Sequence, residues 1–165
     1  FIPNYHGMKW FLSKIFIRIL EIYPDLHIKI TGSVSKKIKH EFSNYKNIIY
    51  TGFLSNNDLY NEICNSLFGI VPILKGSGIK VKLIEYLSMG VPVLSTYKGA
   101  RGLPYKINNA PFLLANNDIS FLENSLKLLS SIDERNRLSG EAKTFFENEF
   151  FIDKKKYDWF ALINS

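Results

Sequence analysis

Between Lys75 and Glu85 the chain reads Lys-Gly-Ser-Gly-Ile-Lys-Val-Lys-Leu-Ile-Glu, a concentration of residue types able to hold an anion. Gly76 and Gly78 let the backbone turn sharply and approach a ligand closely, because neither carries a Cβ. The helix predicted from Ile79 onward presents unpaired N–H groups and the positive end of its dipole, a ready site for a phosphate. Lys75 and Lys80 flank that point. Lys82 lies about one turn in, and helical side chains lean toward the N-terminus, so its ammonium can reach back to the same anion. Glu85 follows on the same face, where a carboxylate can accept hydrogen bonds from sugar hydroxyls. Cations for phosphate and a carboxylate for hydroxyls suggest a nucleotide-sugar site. The bland alternative is an exposed Lys82–Glu85 ion pair, worth roughly 0.2–0.5 kcal/mol.

The elements around this stretch must position it. Phe68 to Leu74 is a short apolar, β-branched run that reads as a buried strand. Residues 75–78 form a breaker-rich loop. Ile79, Leu83, Ile84 and Leu87 then fall on one helical face, with Lys82, Glu85 and Met89 on another. Gly90 is a helix terminator, and Val91 to Ser95 reads as the next strand. Strand, glycine loop, helix and strand make a βαβ unit, which implies a parallel sheet with a right-handed crossover.

With these residues in view, the chain resembles a known family. Gly76-Ser77-Gly78-x-Lys80-x-Lys82-x-x-Glu85, then Gly90-Val91-Pro92-Val93, then Thr96-x-x-Gly99-Ala100-x-Gly102-Leu103, resembles the donor-binding core of group 1 glycosyltransferases. These are retaining enzymes of GT-B fold, whose C-terminal Rossmann-like domain holds the nucleotide sugar. The resemblance implies that Glu85 binds the donor's ribose. Many members carry a first glutamate eight positions earlier, where this chain has Ser77; a branch with a Gly-Ser-Gly loop looks similar to it. Ser77 is therefore open between sugar contact and turn residue. Members often place an Arg and a Lys near the first helix to bind the diphosphate. Phe1 to Gly7 offers no such pair, which leaves Lys80 and Lys82 as the cations.

Composition bounds the alternatives. The chain has 165 residues, one ordinary domain with a real core, and 46% of them are hydrophobic, which argues against disorder. No apolar run reaches about 18 residues, so no spanning helix is expected. The single Cys64 excludes an internal disulfide and a cysteine zinc cluster; it reads as a small buried hydrophobe on a helix and fits a cytoplasmic setting. A formal net charge of +6 favours an anionic partner. No RNP motif, recognition-helix pattern or zinc-ligand spacing supports nucleic acid. No Asp-x-Asp pattern occurs, so neither a metal nor a cofactor is implied beyond the sugar nucleotide itself. Phe1 in place of Met suggests a fragment, and the resemblance implies an N-terminal acceptor domain outside this chain.

Taken in order, Phe1-Ile2 reads as the tail of a strand and Pro3 to Gly7 as a turn. His6 is either a helix-start residue or a diphosphate contact from the opposite lip. A helix from Met8 to Ile22 is apolar on more than one side, through Trp10, Phe11, Ile15, Ile19 and Ile22. Leu26 to Thr31 is a strand, with His27 on its surface, and Gly32 ends it on the edge where open α/β sheets bind ligands. Ser35 is a candidate cap for a helix containing Lys36, Lys37, Lys39 and His40. That basic run is a solvated face or a surface attracted to anionic lipid. Ile48 to Thr51 is the next strand, and the resemblance places Gly52-Phe53 near the base of the nucleotide. Ser55 or Asn57 starts the helix through Cys64. After the organising unit, Thr96 to Pro104 is a glycine-punctuated loop. There Arg101, at a position often acidic in relatives, is a phosphate or acceptor contact or a solvent-facing residue. Phe112 to Leu114 is the last strand, followed by helices over 119–130 and 133–148. The segment 154–163 pairs a cationic start with Tyr157, Trp159 and Phe160, and the resemblance implies an apolar side turned toward the N-terminal domain.

These readings converge on one α/β domain over residues 1–165, Rossmann-like and three-layered, with a parallel sheet. The resemblance implies the donor-binding half of a retaining glycosyltransferase of polysaccharide biosynthesis. Such an enzyme moves a sugar from a nucleoside diphosphate sugar to a saccharide or lipid-linked acceptor, at the inner face of the membrane or free in the cytoplasm. Lys82 and Glu85 are the candidate catalytic residues. The candidate donor contacts are Gly32, Gly52, Phe53, Lys75, Gly76, Ser77, Gly78 and Lys80, with Lys82 and Glu85. A nucleotide-sugar epimerase on the same scaffold and a non-catalytic interaction module are the rival readings.

Overall fold

A computed structural model describes residues 2–76 and 81–150. Helix α1 (Ile2–Phe11) continues through a π-helical turn at Leu12–Phe16 into α2 (Ile17–Leu20). Strand β1 (Ile28–Thr31), helix α3 (Lys36–Glu41), strand β2 (Ile48–Gly52) and helix α4 (Asn56–Cys64) follow. Then come β3 (Gly69–Val71), α5 (Val81–Ser88), β4 (Val93–Thr96) and β5 (Leu113–Ala115). Two helices, α6 (Asp118–Ser130) and α7 (Ile132–Phe150), close the described chain.

Pairing is parallel throughout. β1 pairs with β2 (Ile28 opposite Ile48), β3 with β4 (Gly69 opposite Val93), and β4 with β5 (Leu94 opposite Leu113). The single sheet expected from the sequence is therefore two, β1-β2 and β3-β4-β5. They share one helix layer, because Ile30, Ile48, Leu94 and Ala115 all join the core built on Phe11, Leu12, Ile15, Phe16, Ile19 and Phe121. The opposite face of β3 and β4 packs Val71 and Val93 against Leu83 and Leu87 of α5 and Ala142 of α7. Neighbouring residues Val93 and Leu94 thus enter different cores, and β4 is buried along its whole length. That is why these strands read as continuous apolar runs and not as alternating ones.

Local chemistry accounts for several boundaries. Ser35 accepts a hydrogen bond from the Ile38 amide and caps α3; Ser55 does the same for Asp58 and caps α4. Asn117 and Ser120 form a reciprocal capping box on α6. Gly90 ends the turn after α5 at φ +66°, a conformation that favours glycine. In the first helix the buried residues recur every four positions (Phe11, Ile15, Ile19 and Leu12, Phe16). Spacing of four drifts around a 3.6-residue helix, and the wider π turn holds the stripe in line.

Two expectations at the N-terminus are corrected. Pro3 to Gly7 is helix and not a turn, and Ile2 is its first residue and not the end of a strand. Proline is tolerated in a first helical turn, where its missing N–H would have no partner. Gly7 lets the helix backbone lie directly on the exit of β3: a Cβ there would stand 1.8 Å from the Pro72 carbonyl oxygen. The helix ends at Leu20, short of Ile22, which is 57% exposed. Cys64 is exposed and not buried, because Ile63 takes the inward position on α4.

Candidate functional site

Gly32, Gly52, Phe53, Lys75 and Gly76 lie at or just after the ends of strands. Helix α1 starts beside Pro72 at the exit of β3. Pairing is parallel within each sheet, so β3, β4 and β5 end together, as do β1 and β2, and the C-terminal edge is where open α/β sheets bind ligands. Gly32 and Gly52 meet there: the Gly32 amide donates to the Gly52 carbonyl at 2.7 Å, and both residues hold positive φ, +83° and +71°. Among the described residues, chain neighbours aside, no atom stands within 4 Å of where a Cβ would sit on either glycine, so their conformation and not crowding calls for glycine. Phe53, next in the chain, is 85% exposed, its ring standing free at the strand end.

Beyond β3 the loop passes through exposed Lys75 and Gly76, the latter at φ +116°. Ser77, Gly78, Ile79 and Lys80 lie outside the described residues, so their assigned contacts are carried by the sequence alone. Helix α5 (Val81–Ser88) has Leu83 and Leu87 fully buried, which turns Lys82 outward and leaves Glu85 half-buried. Neither Lys82 nor Glu85 makes an ion pair among the described residues, so the mutual pair weighed from the sequence is not formed. The Glu85 carboxylate is close enough to Tyr86 to reinforce the effect of burial, and together they hold that phenol above its ordinary pKa.

A buried polar knot, not anticipated from the sequence, fixes the loops on either side. Thr96 Oγ1 donates to the Ile73 carbonyl at 2.5 Å and accepts from the Gly99 amide at 3.0 Å. Ser95 Oγ donates to the Thr96 carbonyl at 2.9 Å. Gly99 is required by close approach: a Cβ there would stand 2.5 Å from Ser95 Oγ and 2.7 Å from the Val71 carbonyl. The loop after β4 is thereby pressed onto the exit of β3. The signal was present as two hydroxyl residues closing an otherwise apolar strand, Val-Pro-Val-Leu-Ser-Thr.

Charge on these two loops has one sign. Residues 72–82 and 97–106 contain Lys75, Lys80, Lys82, Lys98, Arg101 and Lys106 and no carboxylate. Lys75, Lys82, Lys98, Arg101 and Lys106 are exposed. His6 is exposed on α1, edge-on to Tyr5, at the neighbouring helix start. A cleft of about 300 Å³ opens between Tyr97, Ile107, Phe112, Leu114 and Arg137, off to the side of α5 and without Lys82 or Glu85. Among the described residues no three of His, Cys, Asp and Glu cluster as metal ligands would.

The fold is that of a Rossmann-like α/β domain, as in GT-B proteins. The chain belongs to the group 1 glycosyl transferases, whose family model matches residues 1–131. An uncharacterized 44.6 kDa protein from the cps region of Klebsiella pneumoniae is 25% identical over 166 residues, covering 94% of this chain and 41% of that protein. The C-terminal domain of a group 1 glycosyl transferase, LpcC from Francisella tularensis, matches with a TM-score of 0.73 at 17% identity, over 90% of this chain and 82% of that one. Anabaena HepE, solved with UDP, matches with a TM-score of 0.69 at 9% identity, over 84% of this chain and 41% of that one. The two structural likenesses are likenesses of fold. The chain spans less than half of the Klebsiella protein and of HepE. Among the described residues no helix is long and apolar enough to cross a membrane.

Proposed function

We propose that this chain is the donor-binding domain of a retaining glycosyltransferase that uses a nucleoside diphosphate sugar and a saccharide or lipid-linked acceptor. One observation carries the reading: the loops after β3 and β4, pinned together by Thr96, carry only cations, at the sheet edge where α5 begins. Lys82, Lys80 and the α5 N-terminus neutralise the diphosphate as it leaves, and such stabilisation of a departing anion is often the largest catalytic term. Glu85 holds the ribose hydroxyls and fixes the register of the donor. Gly32, Gly52 and Phe53 border the base. The lysines supply the positive charge, so the reading calls for no metal or cofactor. The acceptor is held outside this chain. HepE was solved with UDP, which supports a nucleotide donor. The cps-region relative supports a place in polysaccharide synthesis. The reading places that synthesis at a cytoplasmic or inner-membrane surface.

The test is a calorimetric and thermal-shift titration with UDP, GDP and ADP, beside Lys82→Ala and Glu85→Ala. Ligand at about 100 times Kd stabilises a fold by about 2.7 kcal/mol, so weak binding is visible at millimolar nucleotide. One diphosphate should bind and both variants should lose it. No binding by this chain and none by the longer protein would sink the reading.

A further inference from the structure

We propose that Thr96 is a positioning residue: its buried hydroxyl sets the spacing of the cationic loops after β3 and β4, and through that spacing the affinity of the edge for a diphosphate. The proposal rests on the donor-site reading above and names what holds that site in shape.

Packing does not explain the hydroxyl. Thr96 closes a strand whose other residues, Val93, Leu94 and Ser95, are all buried, and it is itself 5% exposed. Valine has the same branched shape and suits a strand equally well, so the oxygen needs another reason. Its two hydrogen bonds supply one. Oγ1 donates to the Ile73 carbonyl at 2.5 Å and accepts from the Gly99 amide at 3.0 Å, and both partners lie in loops and not in the sheet. Each loop is also turned back on its own strand. The Ile73 amide donates to the Val71 carbonyl at 3.0 Å, and the Ala100 amide donates to the Thr96 carbonyl at 3.1 Å. Two turned loops are thus joined at one oxygen.

Charge gives the joint its purpose. Lys75 lies two residues beyond Ile73, Lys98 is next to Gly99 and Arg101 is two residues beyond it, and all three are exposed. Consecutive Cα atoms are about 3.8 Å apart, so each of these cations leaves the backbone within about 8 Å of an anchored residue. None of the three makes an ion pair among the described residues, and neither loop carries a carboxylate. Like charges on adjoining loops repel and drive the loops apart. The buried hydroxyl opposes that spreading from a water-poor position, where a hydrogen bond is stronger than in water. A diphosphate then meets cations already in place and does not have to gather them, which is how preorganised sites gain affinity. Without the joint the loops lose that advantage, while Val93 and Leu94 still hold β4 in both cores.

Calorimetric titration with UDP, GDP and ADP tests this on the parent, Thr96→Val, Thr96→Ser and Ser125→Ala. Ser125 is a buried hydroxyl on α6 that donates to the Phe121 carbonyl at 2.7 Å, so its loss controls for destabilisation alone. Parent affinity should fall several-fold from roughly 50 to roughly 300 mM salt, as binding by exposed cations does. Thr96→Val should bind about tenfold more weakly and with a much flatter salt dependence, because fewer cations reach the anion. Thr96→Ser, which keeps the oxygen, should restore both, and Ser125→Ala should change neither. A purely structural role would lower the fraction of binding-competent molecules and leave Kd and its salt dependence where they were. If Thr96→Val does not fold, Thr96→Cys takes its place with the same expectation, since a thiol is a weak donor and acceptor. Parent-like Kd and salt dependence in the Val or Cys variant would overturn the proposal and leave the donor reading intact. So would failure of Thr96→Ser to restore binding, or an equal loss in Ser125→Ala. Absence of binding by the parent, both as this chain and within the longer protein, would overturn the donor reading and the proposal with it.

Discussion

The hydroxyl of Thr96 donates to the carbonyl of Ile73 while accepting the amide of Gly99, so one buried side chain ties the exits of two neighbouring strands. Thr96 is 5% exposed, and removal of its hydroxyl strands a buried acceptor and a buried donor together. Thr96→Val should cost about 1–3 kcal/mol by urea denaturation. Thr96→Ser keeps the oxygen and should retain most of that stability.

Lys82 and Glu85 take part in no ion pair among the described residues, so their proposed role in binding can be tested apart from the fold. Lys82→Ala and Glu85→Ala should each change stability by no more than about 0.5 kcal/mol. Both should abolish the thermal shift produced by nucleoside diphosphate. A large loss of Tm without ligand would mean that the residues hold the structure instead.

Two glycines make opposite predictions. Gly7→Ala drives a Cβ to 1.8 Å from the backbone oxygen of Pro72, which no side-chain rotation relieves. It should destabilise by about 1–3 kcal/mol. Gly140 lies exposed within α7, and no other part of the described residues comes within 4 Å of an added Cβ. Gly140→Ala should stabilise by about 0.5–1 kcal/mol, as alanine is the better helix former. Chemical denaturation of both variants reads the two signs.

Acid sensitivity should trace in part to Glu134. Hydrogen bonds from Arg137 and Lys127 lower its pKa from 4.5 to about 2 and join the end of α6 to α7. A carboxyl whose folded pKa lies below its unfolded value stabilises the fold fully above about pH 4.5, and that contribution is lost as pH falls toward 2. The network is partly exposed and screened by salt, so Glu134→Gln should cost roughly 1 kcal/mol at neutral pH. The difference between variant and parent should shrink steadily from pH 5 to pH 2 in thermal melts.

Much of this was legible in one dimension. The βαβ unit around Lys75–Glu85, the caps at Ser35 and Ser55 and the stop at Gly90 depend on residues a few positions apart, and short-range chemistry writes them into the chain. The family was legible for the same reason, since its glycine loop, lysines and Glu85 sit in one ordered run. Tertiary packing decided what depends on distant partners. Pro3 to Gly7 has the composition of a turn, yet Pro72, far along the chain, supplies the surface on which it becomes helix. Cys64 has the profile of a buried residue, yet Ile63 takes the inward place. Ser95 and Thr96 show only as polar residues ending a strand until the Val71, Ile73 and Gly99 backbones close on them. The division of the strands into β1-β2 and β3-β4-β5 is not legible either. Periodicity says that a segment is a strand, but its neighbour is chosen by hydrogen bonds across the sheet, and those exist only in three dimensions.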